Sequence, residues 1–381
     1  MVKEITKKQT IYLLLICLFG TKFQRLPSFL ADISGKGFWV VLFIYMLIDG
    51  LFLMLAFKII NLGNGATLYQ MIEKSAGKII AKGILSLLGI YFFILAVLPY
   101  ESVQEVFADV IFDSLPWKFF AFFLLISMGV LAVSGLRNIG RICQFFFYLV
   151  MIGVVGLFIL GAITTDISRV LPFADIVISS VGNGLYKSSL WFGNFTILFV
   201  LMGKIENQKD KRFGGIYLSF FLGSLFVAVT YVVFYGIYGF ITPLKRNLLT
   251  KISQFALLSL DIGRPDWFLI LFAEIATILT AGIFVYCCAY CIREVIGCKK
   301  INYIIYLVLI LLYIFTNFAI RSKLDIFKIY ISYGSIFGMI IQYILPIILL
   351  LIGLRYRKLT YGNNLNKFKN HSRKRKVEAK S

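Results

Sequence analysis

Cys17-Leu18-Phe19-Gly20-Thr21-Lys22-Phe23-Gln24-Arg25-Leu26-Pro27 interrupts what otherwise reads as the first of about ten membrane spans. A glycine, two cations and a proline stand where an apolar helix should continue. A cation deep in hydrocarbon costs about 3 kcal/mol or more and is rarely kept without a partner or a cavity. Glycine and proline weaken a helix at the same place. The stretch predicts a broken helix at a binding site, with Gly20, Thr21, Lys22, Phe23 and Arg25 as candidate ligand contacts.

The rest of the chain supplies the membrane. Of 381 residues, 60% are hydrophobic and 15% charged, and the mean hydropathy is +0.89. Polar surface is too scarce to clothe a water-soluble globule of this length. Apolar runs of about 20 residues place spans near 9–33, 37–60, 82–110, 116–134, 138–163, 186–203, 212–240, 265–297, 301–320 and 325–354. The expectation is an all-α polytopic membrane protein, with one membrane domain over 1–354 and a basic tail over 355–381. The tail's Asn, Lys and Ser content predicts disorder. With both termini inside, inner segments carry about 26 Lys and Arg and outer segments about 11, so the positive-inside rule favours cytoplasmic termini.

The net charge of +21 and the run Arg373-Lys374-Arg375-Lys376 are read as that same bias plus attraction of the tail to anionic lipid, not as a nucleic-acid site. Lys3 to Lys8 followed by Ile11 to Phe19 mimics a secretory signal. Lys22, Arg25 and Pro27 then stand where small residues should precede cleavage, so an uncleaved first span is expected.

Little supports an enzyme. His371 in the tail is the only histidine, which removes most triad and metal-ligand arrangements. Gly182-Asn183-Gly184 is followed by Leu185 and supplies no aspartyl site. Cys17, Cys143, Cys287, Cys288, Cys291 and Cys298 mostly fall inside spans, and Cys288-x-x-Cys291 has no second pair to complete a metal site. They read as packing residues, with no metal or cofactor implied.

Span six repeats the theme of span one. Trp191-Phe192-Gly193-Asn194-Phe195-Thr196 puts glycine and asparagine into the middle of an apolar run. Non-helical backbone at membrane depth survives only where protein or a cavity satisfies it. Interrupted first and sixth spans with four intact ones between them match two five-helix inverted repeats holding a substrate at midplane. Trp191, Phe192, Gly193 and Asn194 join the candidate ligand contacts.

Acids inside spans are candidate proton or ion-pair groups. Glu101 and Glu105 share one helical face and are read either as wet or as lining the cavity. Glu274 is a candidate partner for Lys22 or Arg25, or a titrating acid. Asp49, beside Gly50, is the most deeply placed acid. Ile163 to Tyr186 and Leu244 to Leu260 read as amphipathic outer helices, and Gly334-x-x-x-Gly338 as a packing motif.

Several of these features carry a family resemblance. Ile5-Thr6-Lys7-Lys8-Gln9, the Gly20-Thr21 to Pro27 break, Gly77-Lys78-Ile79-Ile80-Ala81-Lys82, Gly135 to Arg141, Leu171-Pro172, Phe192-Gly193 and Arg264-Pro265-Asp266 resemble the spore germination permeases. These are the GerAB-like B subunits of germinant receptors, in the amino acid, polyamine and organocation transporter superfamily. The resemblance implies a ten-helix fold similar to the leucine transporter, residence in the inner spore membrane, assembly with A and C subunits, and a nutrient germinant, commonly an amino acid, as ligand. Two departures stand out: Asn194 replaces the acid usual after Phe-Gly of helix six, and Lys22 and Arg25 replace apolar residues of helix one. They point to a ligand with a carboxylate. The alternatives are a secondary amino acid transporter coupled to H+ or Na+, and an ion or water conduit.

Overall fold

The computed structural model describes residues 5–107, 117–170, 177–206, 214–245, 247–257, 266–319 and 330–360. Helix α1 (Lys7–Lys22) opens with a capping box: Thr6 Oγ1 accepts from the Gln9 amide at 3.2 Å and Gln9 Oε1 accepts from the Thr6 amide at 3.1 Å. This satisfies two of the amides that a helix start leaves without partners. Phe23, Gln24 and Arg25 form the break, and α2 (Leu26–Ser34) restarts with Pro27 in its first turn. Proline suits that position because its missing N–H would be unpaired there anyway.

Intact helices follow: α3 (Phe38–Gly63), the short α4 (Leu68–Ala76), α5 (Lys78–Val106), α6 (Trp117–Val133) and α7 (Leu136–Ile163). The second interrupted span consists of α8 (Ile178–Lys187) and α9 (Ile197–Leu201). Then come α10 (Gly214–Tyr238), α11 (Leu248–Leu257), α12 (Asp266–Ile296), α13 (Ile301–Ile314) and α14 (Ser335–Thr360). Among the described residues six helical stretches are long and apolar enough to cross a membrane, and shorter apolar helices lie at Ala121–Val133 and Ile301–Asn317. With the two interrupted spans these make the ten-span arrangement that the hydropathy predicts.

The most buried long helix is α12. It packs against α5, α7 and α1, while Leu51, Val130, Phe145 and Ile159 turn outward to where lipid lies. Glycines set the closest approaches. A Cβ on Gly20 would stand 2.5 Å from the Ala276 carbonyl oxygen, and one on Gly153 2.6 Å from the Leu269 carbonyl oxygen. Such small residues let backbones touch where lipid supplies no hydrophobic drive. Gly20 is thus a packing residue inside α1, and the break begins three residues later than the glycine suggested.

Other boundaries move as well. The segment read as an outer amphipathic helix over 163–186 contains a 3-10 turn at Ile167–Arg169 and then the first half of span six, with 171–176 outside the described residues. Span six therefore starts near Ile178 rather than at residue 186, because its first half is amphipathic and too polar to register as membrane. The segment expected as an amphipathic helix at Leu244 to Leu260 contains α11, with 258–260 outside the described residues. Gly334 and Gly338 admit the side chain of Leu190 from the second break. Helix α14 runs on to Thr360, past the expected end at 354. The remainder of the tail, His371 included, and the Leu171-Pro172 and Arg264-Pro265 motifs lie outside the described residues.

Candidate functional site

The two breaks face each other, and each finds protein partners for the backbone groups that leave the helical ladder. At the first, Tyr231 of α10 donates its hydroxyl to the Lys22 carbonyl, and the Leu248 amide of α11 donates to the Gln24 carbonyl at 3.4 Å. At the second, Phe192 is extended and Gly193 sits at φ +76, between 3-10 turns at Ser189–Trp191 and Asn194–Thr196. Gln342 Nε2 donates to the Phe192 carbonyl at 3.0 Å and to Tyr91 Oη at 2.9 Å. Glycine is required at 193 twice over, since a Cβ there would also lie 2.5 Å from Gln342 Cγ.

Asp49, buried at 1% exposure on α3, ties the two breaks together. Its Oδ1 accepts from the Gly193 amide at 3.1 Å and its Oδ2 lies 3.8 Å from Lys22 Nζ. The Lys22 ammonium also sits 4.6 Å from the centre of the Phe192 ring, and Tyr45 stacks on that ring at 3.8 Å. The arrangement is an ammonium, a carboxylate, an aromatic face and a freed backbone amide gathered where water is excluded. In such a place charge contacts are strong and an unmatched charge is expensive. Asn194 ties the second break to the last turns of α1, donating to the Cys17 carbonyl and to Thr21 Oγ1, each at 3.2 Å.

Arg25 belongs to a separate cluster. It pairs with Glu105, through Nε at 2.9 Å and through its terminal guanidinium, and its Nη1 lies 3.6 Å from Glu101. Glu101 and Glu105 are therefore buried and ion-paired rather than wet. Glu274 is held neither by Lys22 nor by Arg25. Gln24 Nε2 lies 2.9 Å from each of its oxygens and 2.9 Å from Thr277 Oγ1. The sequence reading that paired Glu274 with a cation is corrected: the Gln24 amide takes that place because Lys22 and Arg25 point to α3 and α5.

Of the remaining candidates, Phe23 turns away into packing, stacked on Phe19 at 5.4 Å and edge-on to Phe226 at 6.5 Å. Trp191 stacks on Phe29 at 5.2 Å across the breaks. Gly20, Thr21, Gln24, Pro99 and Trp191 help to line a cavity of about 10 Å³, room for about one water. The N-terminal segment is clamped to the chain just past α9. The Ile5 amide donates to the Lys204 carbonyl at 3.3 Å, the Glu206 amide donates to the Ile5 carbonyl at 2.8 Å, and Lys204 Nζ sits 3.8 Å from the centre of the Tyr290 ring.

Sequence reasoning missed Gln24, Tyr45, Tyr91 and Gln342. Gln24 stood inside the decisive stretch, and Gln342 is a polar residue within the apolar run of span ten; both signals were available. The tyrosines look like ordinary membrane aromatics until the fold stacks them. Among the described residues no three His, Cys, Asp or Glu come together as a metal site.

The fold has a solved counterpart. The crystal structure of MhsT in complex with L-phenylalanine superposes with a TM-score of 0.58 over 90% of this chain and 98% of that one, at 12% sequence identity. MhsT has the leucine-transporter fold, and the likeness places this chain in that architecture. No curated protein matches the sequence. The profile of the spore germination proteins, a permease family, matches residues 4–323, from the capping box through both breaks and on past α13. With interrupted first and sixth spans, a leucine-transporter architecture and a match over most of its length, the chain belongs to the spore germination protein family.

Proposed function

We propose that the protein is the B subunit of a nutrient germinant receptor, holding a zwitterionic amino acid between the two breaks. The observation that carries the reading is the Lys22–Asp49 pair, closed by the Gly193 amide at 3.1 Å and by the Phe192 ring. An amino acid carries the same two charges. Its carboxylate can take Lys22 and the Gly193 amide while its ammonium takes Asp49, so the internal pair exchanges for two new ones without leaving a charge bare. Charge balance points the same way. Lys22 and Arg25 are buried with Asp49, Glu101, Glu105 and Glu274, two cations against four acids, so a ligand that brings an ammonium is favoured over an anion alone. MhsT binds L-phenylalanine in the same architecture.

The cavity at the breaks is too small for an amino acid, so binding requires a second arrangement with the site opened. A ligand shifts that equilibrium only by preferring one arrangement, and the clamp of Ile5 and Lys204 is an element that such a shift can release. Coupled to A and C subunits in the inner spore membrane, the shift becomes a germination signal. In this reading both termini lie in the cytoplasm, as the positive-inside bias supports, and the tail lies against anionic lipid. Catalysis, cofactors and nucleic acid play no part in the reading.

The test is direct binding to the purified protein. An amino acid should bind, and Lys22→Ala should weaken it roughly tenfold to a hundredfold, as loss of a charge-assisted hydrogen bond does. A preference for uncharged sugars that Lys22→Ala leaves untouched overturns the reading. A second reading, a secondary amino acid transporter, is favoured by Glu274, a buried acid held by neutral partners where a coupling proton or Na+ can enter. Counterflow of substrate in liposomes without partner subunits decides for the carrier, and its absence for the receptor.

A further inference from the structure

We propose that the groove between α6 and α13 binds one chain of an anionic phospholipid, with the headgroup held by Arg137 and Lys300. The groove encloses about 830 Å³ and is lined by Phe122, Ile126 and Val130 on one wall and Tyr306, Ile310 and Tyr313 on the other. It lies on the outer face of the bundle, with Val130 67% exposed and Tyr306 52% exposed. Along α6 it runs from Phe122 to Ser134. At 1.5 Å per residue that is about 18 Å, close to the ~15 Å depth of one leaflet's hydrocarbon. It has the length of one lipid tail and not of a span.

One end of the groove is basic. Arg137 follows Ser134 by three residues at the start of α7 and is exposed, as are Lys299 and Lys300 ahead of α13. Lys300 Nζ sits 5.9 Å from the centre of the Tyr303 ring. Tyr303 and Tyr306 are three apart and so share one stripe of α13, which leads from Lys300 into the groove. Arginine and lysine at the mouth of a crevice between spans, with tyrosine at the boundary, are the chemistry that holds a phosphate headgroup at a membrane surface. A partner helix suits the groove less well. Helices approach closely across small residues, and the walls are bulky except at Ser134, at the basic end, and at Gly129, whose added Cβ would already stand 3.0 Å from Leu309. A flexible acyl chain fits bulky walls; a rigid helix does not.

The test uses the full chain purified in detergent, titrated with phosphatidylglycerol or phosphatidylcholine and read by native mass spectrometry. The wild type should retain one lipid more than Val130→Trp, which fills the groove, and should prefer phosphatidylglycerol. Arg137→Gln with Lys300→Gln should cut that preference about fivefold for each cation removed and leave phosphatidylcholine binding unchanged. Should Val130→Trp fail to fold, Ile310→Trp fills the groove from the other wall. Equal lipid retention by the filled variant, or an unchanged preference in the charge variant, overturns the proposal. So does cross-linking of Val130→Cys to a partner subunit in place of bound lipid.

Discussion

Lys22 and Arg25 stand three residues apart in the same break, at 3% and 6% exposure, yet the fold treats them differently. Lys22 meets one acid, Asp49, at 3.8 Å, and shares its charge with the face of Phe192. Arg25 is gripped by Glu105 and Glu101, which lie one turn apart on α5. The contrast follows the chemistry of the side chains. A guanidinium is a rigid fork that matches carboxylates and is suited to permanent buried pairs, whereas an ammonium is a point charge on a flexible stem. The Arg25 cluster fastens the first break to α5; the Lys22 pair, one-to-one and beside a freed amide, is the one a ligand can replace.

The comparison breaks most easily at Arg25. Arg25→Ala leaves two buried carboxylates facing each other, and the expected loss is about 3 to 5 kcal/mol of stability, read as a fall in the unfolding midpoint of the purified protein. Arg25→Lys should recover only part of it, because the fork is lost. A well-folded Arg25→Ala protein with impaired ligand binding would reverse the roles assigned to the two cations.

Lys22→Ala should cost less, roughly 2 kcal/mol, since it strips one carboxylate of its cation rather than two, and Asp49 keeps its hydrogen bond from the Gly193 amide. The double variant Lys22→Met with Asp49→Asn should be more stable than either single variant while still failing to bind an amino acid. The coupling from that double-mutant cycle measures the pair itself, and a value near zero would mean that the two residues are neighbours only. The smallest effect belongs to Glu274→Gln. The neutral amide preserves the shape of the contact with Gln24 and removes an uncompensated buried charge, so stability should hold within about 1 kcal/mol or rise. A loss as large as that of Arg25→Ala would show that Glu274 has an ionic role after all.

The site was half visible in advance. Lys22, Asp49, Gly193 and Asn194 could be singled out because each is costly or unusual in a membrane span by itself. Gln24, Gln342 and Tyr45 could not be ranked, since an amide or an aromatic within a span is cheap to keep when it has a partner, and the partner lies on another helix. Gly20 misled for a related reason. Its neighbours in sequence suggested helix breaking, while its real constraint is the Ala276 backbone, more than 250 residues away.

What the sequence determined by itself is what local chemistry controls: apolar runs long enough to span a bilayer, two runs interrupted by residues that hydrocarbon does not tolerate, and an order of motifs shared with a family. What only the tertiary structure decided is which buried charge faces which. Asp49 goes to Lys22, both glutamates of α5 go to Arg25, and Glu274 is left to Gln24. The reason is one of range. A span's burial is summed along its own residues, but an ion pair forms or fails over a few ångströms between helices, and those distances are set by packing such as that of Gly20 against α12.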